Sequence, residues 1–157
     1  RTTTTNGCSY TNPGGSGDRQ ATFPILTTTV GATGPWNSLL DGLYSTLINL
    51  DGAANAGKYI KFDFLTAKLI DEAVWWQNNA NTHGVWKWQG SNDDSAWTDL
   101  SGNITLGTAV PTVNNQYMQV FRELRTNTTS YRYYRLLGIS GNSSNSSLLM
   151  EVEFRIS

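Results

Sequence analysis

The chain has 157 residues, one cysteine, one histidine, six tryptophans, a formal net charge of −1 and only 15% charged residues. A chain of this length buries about two thirds of its unfolded surface without needing a disulfide or a metal. The charge supplies no basic field for nucleic acid or an anionic membrane, the single thiol (Cys8) excludes an internal disulfide and Cys-pair zinc sites, and no apolar run approaches the ~18 residues of a membrane-spanning helix.

Residues 1–22 are polar and rich in turn formers, with a loop by composition over 12–17 (NPGGSG). The chain starts Arg1-Thr-Thr-Thr-Thr, without Met or a visible signal peptide, and reads as a piece of something longer, with 1–157 one domain and 1–22 a polar extension or attachment segment. Residues 23–30 (FPILTTTV) read as a strand entered at Pro24, which suits a strand start or an edge. A turn-rich connection covers 31–36, and 37–50 is irregular with a helical turn at its start. After a loop over 51–57, Ile60, Phe62 and Phe64 alternate with Tyr59, Lys61 and Asp63, the period of a half-buried strand.

Residues 68–77 (KLIDEAVWWQ) become strand-like toward their end, and 78–84 (NNANTHG) form a polar loop. Trp86 and Trp88 share one face of a strand over 85–89. The Asn and Asp residues of 91–95 (SNDDS) make a turn, because both tolerate left-handed backbone and bond their own main chain. A short strand follows over 96–100, so Trp97 is expected to meet Trp86 and Trp88 across a hairpin and anchor one end of the core. Alternation around Met118, Val120 and Phe121 marks 114–125, and 131–139 (YRYYRLLGI) is a strand. Beyond a loop at 141–147, the strand 148–156 (LLMEVEFRI) keeps Met150, Val152, Phe154 and Ile156 in phase. Short strands between turn clusters, with almost no helical period, predict an all-β antiparallel sandwich or jelly roll.

The run WKWQGSNDDSAWTDL resembles the strand–turn–Trp signature of discoidin domains, also called coagulation factor five/eight type C domains, which galactose-binding-like carbohydrate-binding modules share. LLDGLYST (39–46), GKYIKFDF (57–64), YRYYRLLG (131–138) and LLMEVEF (148–154) are similar to other segments of that family in order and spacing, over about 39–156. The branch is also similar to domains of phage virion and bacterial surface proteins. Three departures stand out: Asp94 occupies a place where the family usually has Gly, Leu43 one where it has Asp or Asn, and the Trp that often follows that segment is missing.

The resemblance implies a structural Ca2+ between Asp41, Thr46 and Glu151, a set of hard oxygens suited to that ion. The alternative is that Asp41 caps a turn and Glu151 pairs with an arginine. It also implies recognition by end loops. The candidate ligand-binding residues are Tyr44, Asn49 and Asp51 before one strand, and Trp76, Asn78, Asn81 and His83 around another loop. There, amides would bond vicinal hydroxyls and an aromatic face would cover a sugar ring. Read plainly, the Asn run is a hydrophilic turn and His83 fixes a loop by a hydrogen bond.

Arg122, Arg125, Arg132 and Arg135 interleave with Tyr131, Tyr133 and Tyr134. That pattern could stack single-stranded nucleic acid, yet the net charge is negative, and the resemblance already accounts for this strand, with guanidinium groups stacked on rings or paired with Glu151 or Glu153. There is no G-x-S-x-G elbow and no phosphate-loop Lys-Ser/Thr. The reading is a non-catalytic glycan-binding β-sandwich, extracellular, on a cell surface or on a virion, with no nucleic-acid partner, no membrane insertion and a homo-oligomer allowed. The alternative is a structural or decoration module of a phage particle or surface assembly, contacting other proteins of that assembly.

Overall fold

The computed structural model describes residues 25–41, 48–78, 82–107, 118–144 and 147–157. The N-terminal segment 1–22, Cys8, Tyr44, Thr46 and Asn81 lie outside the described residues. In chain order the elements are β1 (Ile25–Thr28), β2 (Ala32–Thr33), a 3-10 helix (Trp36–Leu40), β3 (Ile48–Leu50), β4 (Tyr59–Lys68), β5 (Ile70–Asn78), β6 (Val85–Ser91), β7 (Thr98–Asp99), β8 (Ile104–Thr105), β9 (Met118–Glu123), β10 (Tyr131–Ser140) and β11 (Ser147–Ile156).

Every strand pair is antiparallel. One sheet runs β1-β4-β10-β6-β7, with β8 also on β6, and the other runs β2-β3-β11-β5-β9. Strands β2, β3 and β8 went unforeseen because two or three residues show no period.

The alternation read from β4 holds: Ile60, Phe62 and Phe64 are buried and their neighbours are not. The two sheets meet through aromatic side chains. Phe154 of β11 lies 5.0 Å from Phe62, 5.2 Å from Phe64 and 5.9 Å from Trp88, all edge-on. These are the geometries that ring quadrupoles favour. Trp86 and Trp88 are core residues, as expected. Trp97 is not. The register sets Gln89 opposite Asp99 and Gly90 opposite Thr98. Side chains alternate along a strand, so Trp97 falls on the face of Gln89 and Asp99, away from Trp88. There its ring lies under the Arg135 guanidinium, 3.8 Å from centroid to Cζ.

The SNDDS turn is self-bonded. Asp93 Oδ1 accepts from the Ser95 and Ala96 backbone N–H groups at 2.9 and 2.8 Å, and from Ser91 Oγ. Those donors, led by the Ala96 N–H, hold its carboxyl down to about 2. Asp94 adopts φ 59°, a left-handed conformation that glycine takes most readily, and its Oδ2 pairs with Lys61 Nζ at 2.6 Å.

Strands β5 and β11 depart from simple alternation. Residues 72–77 and 151–154 are buried without interruption, so both strands are enclosed on both faces. The buried acids there have partners. Glu72 faces Arg122, Arg125 and Arg155 at 3.0, 3.2 and 3.4 Å, and Glu153 Oε1 accepts from Trp76 Nε1 at 2.8 Å.

Candidate ligand-binding loops at one end of the sandwich

Because neighbouring strands are antiparallel, β3, β5 and β10 end where β4, β6 and β11 begin. That end gathers the loops 51–58, 82–84 and 141–144, so the two loops expected to be neighbours are neighbours.

Asn55 is the tie between them. It is fully buried; its N–H donates to Gly141 O at 2.9 Å, and its side-chain amide donates to His83 O at 2.7 Å. The His83 carbonyl also accepts from Trp86 Nε1 at 2.7 Å. This anchors the loop to the core tryptophan. Two glycines allow the approach: a Cβ on Gly84, already at φ 79°, would collide with the Asn55 amide, and one on Gly138 would collide with the Asn55 carbonyl. Ser143 N–H donates to Ala53 O at 3.0 Å, and Ser143 Oγ reaches Asp51 Oδ1 at 3.3 Å.

His83 is fully buried, and its Nδ1 accepts from the Ser144 N–H at 3.1 Å. That bond assigns the ring proton to Nε2. Burial pulls its pKa from 6.5 to about 4, so the imidazole is neutral at pH 7. Among the described residues, His83 Nε2 and Asn55 Oδ1 are both buried without a hydrogen-bond partner. A donor and an acceptor are therefore left unmet within one loop cluster.

The other expected residues are scattered. Asp51 is exposed at the start of its loop, where Oδ1 accepts from the Ala53 N–H and Oδ2 lies 3.7 Å from Lys58 Nζ. Those contacts, the Ala53 bond first, hold its carboxyl below the ordinary range. Asn49 is exposed in β3, opposite Thr33 and Ser147. Asn78 closes β5 opposite Met118, and its side chain is not among those described. Trp76 corrects the expectation of an open aromatic platform: it is 4% exposed, lies on the side of β5 away from core Trp75, and bonds Glu153.

Sequence reading missed Asn55, Ser143 and Ser144. Asn55 sits among Ala and Gly in DGAANAG, where nothing periodic marks it, and only its position before Gly57 hinted at a turn.

The arginines form no single track. Arg122 and Arg125 bond Glu72 beside β5, whereas Arg132 bonds Asp63 at 2.8 Å and Arg135 stacks on Trp97 in the other sheet. Pairing of Arg132 or Arg135 with Glu151 or Glu153 is thereby corrected, because β10 and β11 belong to different sheets. For the metal reading, Asp41 caps the 3-10 helix, and that helix packs on β11, where Glu151 is fully buried. Two hard carboxylates thus sit on contacting elements. Among the described residues no group of three His, Cys, Asp or Glu side chains converges on one point. Among them, too, no helix is long and apolar enough to cross a membrane.

No protein-family model matches the chain, and no curated protein matches it. Solved structures do match. A CBM32 of AlyQ in complex with 4,5-unsaturated mannuronic acid is 23% identical at a TM-score of 0.58, over 85% of this chain and 95% of that one. The family 32 CBM of Clostridium perfringens NanJ in complex with galactose is 12% identical at 0.61, over 88% and 97%. CBM32-1 from a family 31 glycoside hydrolase of Clostridium perfringens is 12% identical at 0.61, over 83% and 93%. The chain therefore has the galactose-binding-like β-sandwich fold of these carbohydrate-binding modules.

Proposed function

We propose that this chain is a non-catalytic glycan-binding module that meets its sugar with the loops 51–58, 82–84 and 141–144. The observation that carries the reading is the pair of unmet buried groups, His83 Nε2 and Asn55 Oδ1, at the joined loop end. Buried polar atoms without partners are rare in native folds and call for a water or a ligand. A sugar hydroxyl both gives and takes a hydrogen bond, so it could meet such a donor or such an acceptor. Exposed Asn49 and Asp51 supply rim groups. The fold supports the reading too, through neighbours solved with galactose and with an unsaturated uronate.

A polar site of this kind binds weakly, with Kd of ~0.1–1 mM. Display in several copies, on a cell surface, a secreted enzyme or a virion, would raise the apparent strength by avidity. Bound Ca2+ at Asp41 and Glu151 would stiffen the 3-10 helix against β11.

A glycan array with the wild type, Asn49→Ala/Asp51→Ala and Asn55→Ala tests the reading. A specific sugar hit that the variants lose supports it. No hit on any sugar, with stable homo-oligomers in solution, sinks it in favour of an assembly role.

A further inference from the structure

The outer face of the six-stranded sheet carries a second constellation, on the flat of the sheet rather than at its loop end. Tyr59, Lys61 and Asp63 come from β4, Arg132, Tyr133 and Arg135 from β10, Lys87 and Gln89 from β6, and Trp97 and Asp99 from the β7 side. Three of its cations have a carboxylate close by: Lys61 has Asp94 at 2.6 Å, Lys87 has Asp99 at 2.7 Å and Arg132 has Asp63 at 2.8 Å.

Arg135 has none among the described residues. Its Nε donates to the neutral Gln89 Oε1 at 2.9 Å, and its four Nη hydrogens donate to no described group. Gln89 is itself held, because its Nε2 donates to Asp99 Oδ1 at 2.7 Å. The guanidinium lies 3.8 Å from the Trp97 ring centroid and 5.8 Å from that of Tyr59. It is thus positioned by two rings and one amide, half-buried, and no described carboxylate lies within ion-pair distance of it. Partial burial lowers its pKa, and Asp94 and Tyr59 oppose the shift from beyond ion-pair distance.

A planar fork held in this way is matched by a carboxylate, which takes two parallel N–H bonds. The surrounding Trp97, Tyr59 and Tyr133 rings offer an apolar rim for the C–H faces of a sugar.

We propose that this face is a binding site for an acidic saccharide, with Arg135 receiving a uronate carboxylate and Trp97 bordering its ring. The ligand class rests on the carbohydrate-binding reading above; the site does not involve the end loops. A phosphate of nucleic acid would need a run of free cations, and here the other three are already paired.

The test is an NMR titration of the isotope-labelled chain with a mannuronate trisaccharide and, in parallel, neutral mannotriose. The mannuronate is expected to shift the Arg135 Nε–H and Trp97 Nε1–H signals, and mannotriose to leave them in place. Added salt should weaken the effect, since the contact is charged and partly exposed. Arg135→Gln is expected to weaken mannuronate binding at least about tenfold and Arg135→Lys by less, because a lysine keeps the charge without the fork. A thermal melt of each variant shows that the fold is kept, and Arg135→Lys carries the comparison if the glutamine variant unfolds.

Mannuronate shifts confined to 51–58, 82–84 and 141–144, or undiminished binding by both Arg135 variants, overturn this site and leave the end-loop reading standing. If neither saccharide nor any array sugar binds, both readings fall together.

Discussion

The Asn55 side-chain amide donates to the His83 carbonyl at 2.7 Å, joining two loops that lie 28 residues apart in sequence. Removing it leaves the carbonyl with only Trp86 Nε1 among the described groups and opens a gap against Gly84. Asn55→Ala is expected to cost about 1–3 kcal/mol. Each kcal/mol should lower Tm by about 2–4 °C at this chain length. Calorimetry checks it; an unchanged Tm would show that the loops are held elsewhere.

His83 should set the stability of the chain under mild acid. Its pKa is about 4 folded against 6.5 unfolded, so between those values the unfolded chain binds the extra proton. Stability therefore falls as pH drops from 6.5 toward 4, by on the order of 3 kcal/mol, and this contribution levels off below 4. Asp51, Asp63, Asp71, Asp93 and Asp99 are all held below 3.8, so their losses come only at lower pH. Burial raises Glu123, which works in the opposite sense. The difference between wild type and His83→Asn in urea melts across this window isolates the histidine. Parallel curves for the two proteins would refute the assignment.

Phe154 is the hub between the sheets, touching Phe62, Phe64 and Trp88. Phe154→Ala is expected to destabilise by about 3–5 kcal/mol, the transfer and cavity terms together. Ile25→Ala, at a side chain 49% exposed on the edge strand, should change little. Urea midpoints with unchanged slopes measure both.

Asp94 sets two small effects against each other. Glycine at φ 59° would relieve a cost of about 1 kcal/mol. It would also remove an exposed Lys61 pair worth about 0–1 kcal/mol. Asp94→Gly should therefore be nearly neutral and Asp94→Val clearly destabilising. Equal Tm values for the two variants would show that the backbone there relaxes freely.

Calcium, if held between Asp41 and Glu151, stabilises only the folded chain. At a hundredfold excess over Kd it should add about 2.7 kcal/mol, lost on chelation and absent in Asp41→Ala. A Tm indifferent to EDTA discards that site.

The sequence by itself determined the sandwich. Alternation over Tyr59–Lys68, paired Trp86 and Trp88, and the closing strand with Val152 and Phe154 specify which faces are buried, because a strand's period of two leaves no other arrangement that hides them. Family-like order in the motifs also placed the two loops beside each other. Only the tertiary structure decided what those loops are made of. Trp76 read as an open recognition group, yet it is enclosed and bonded to Glu153, whereas His83, read either as a recognition group or as a residue that fixes its loop, is buried and tied through Asn55 and Ser144. Trp97 read as core and stands outside under Arg135, since one step of hairpin register reverses the face. These outcomes depend on contacts between residues 28 to 77 positions apart, and on register at a turn, and neither leaves a mark in local composition.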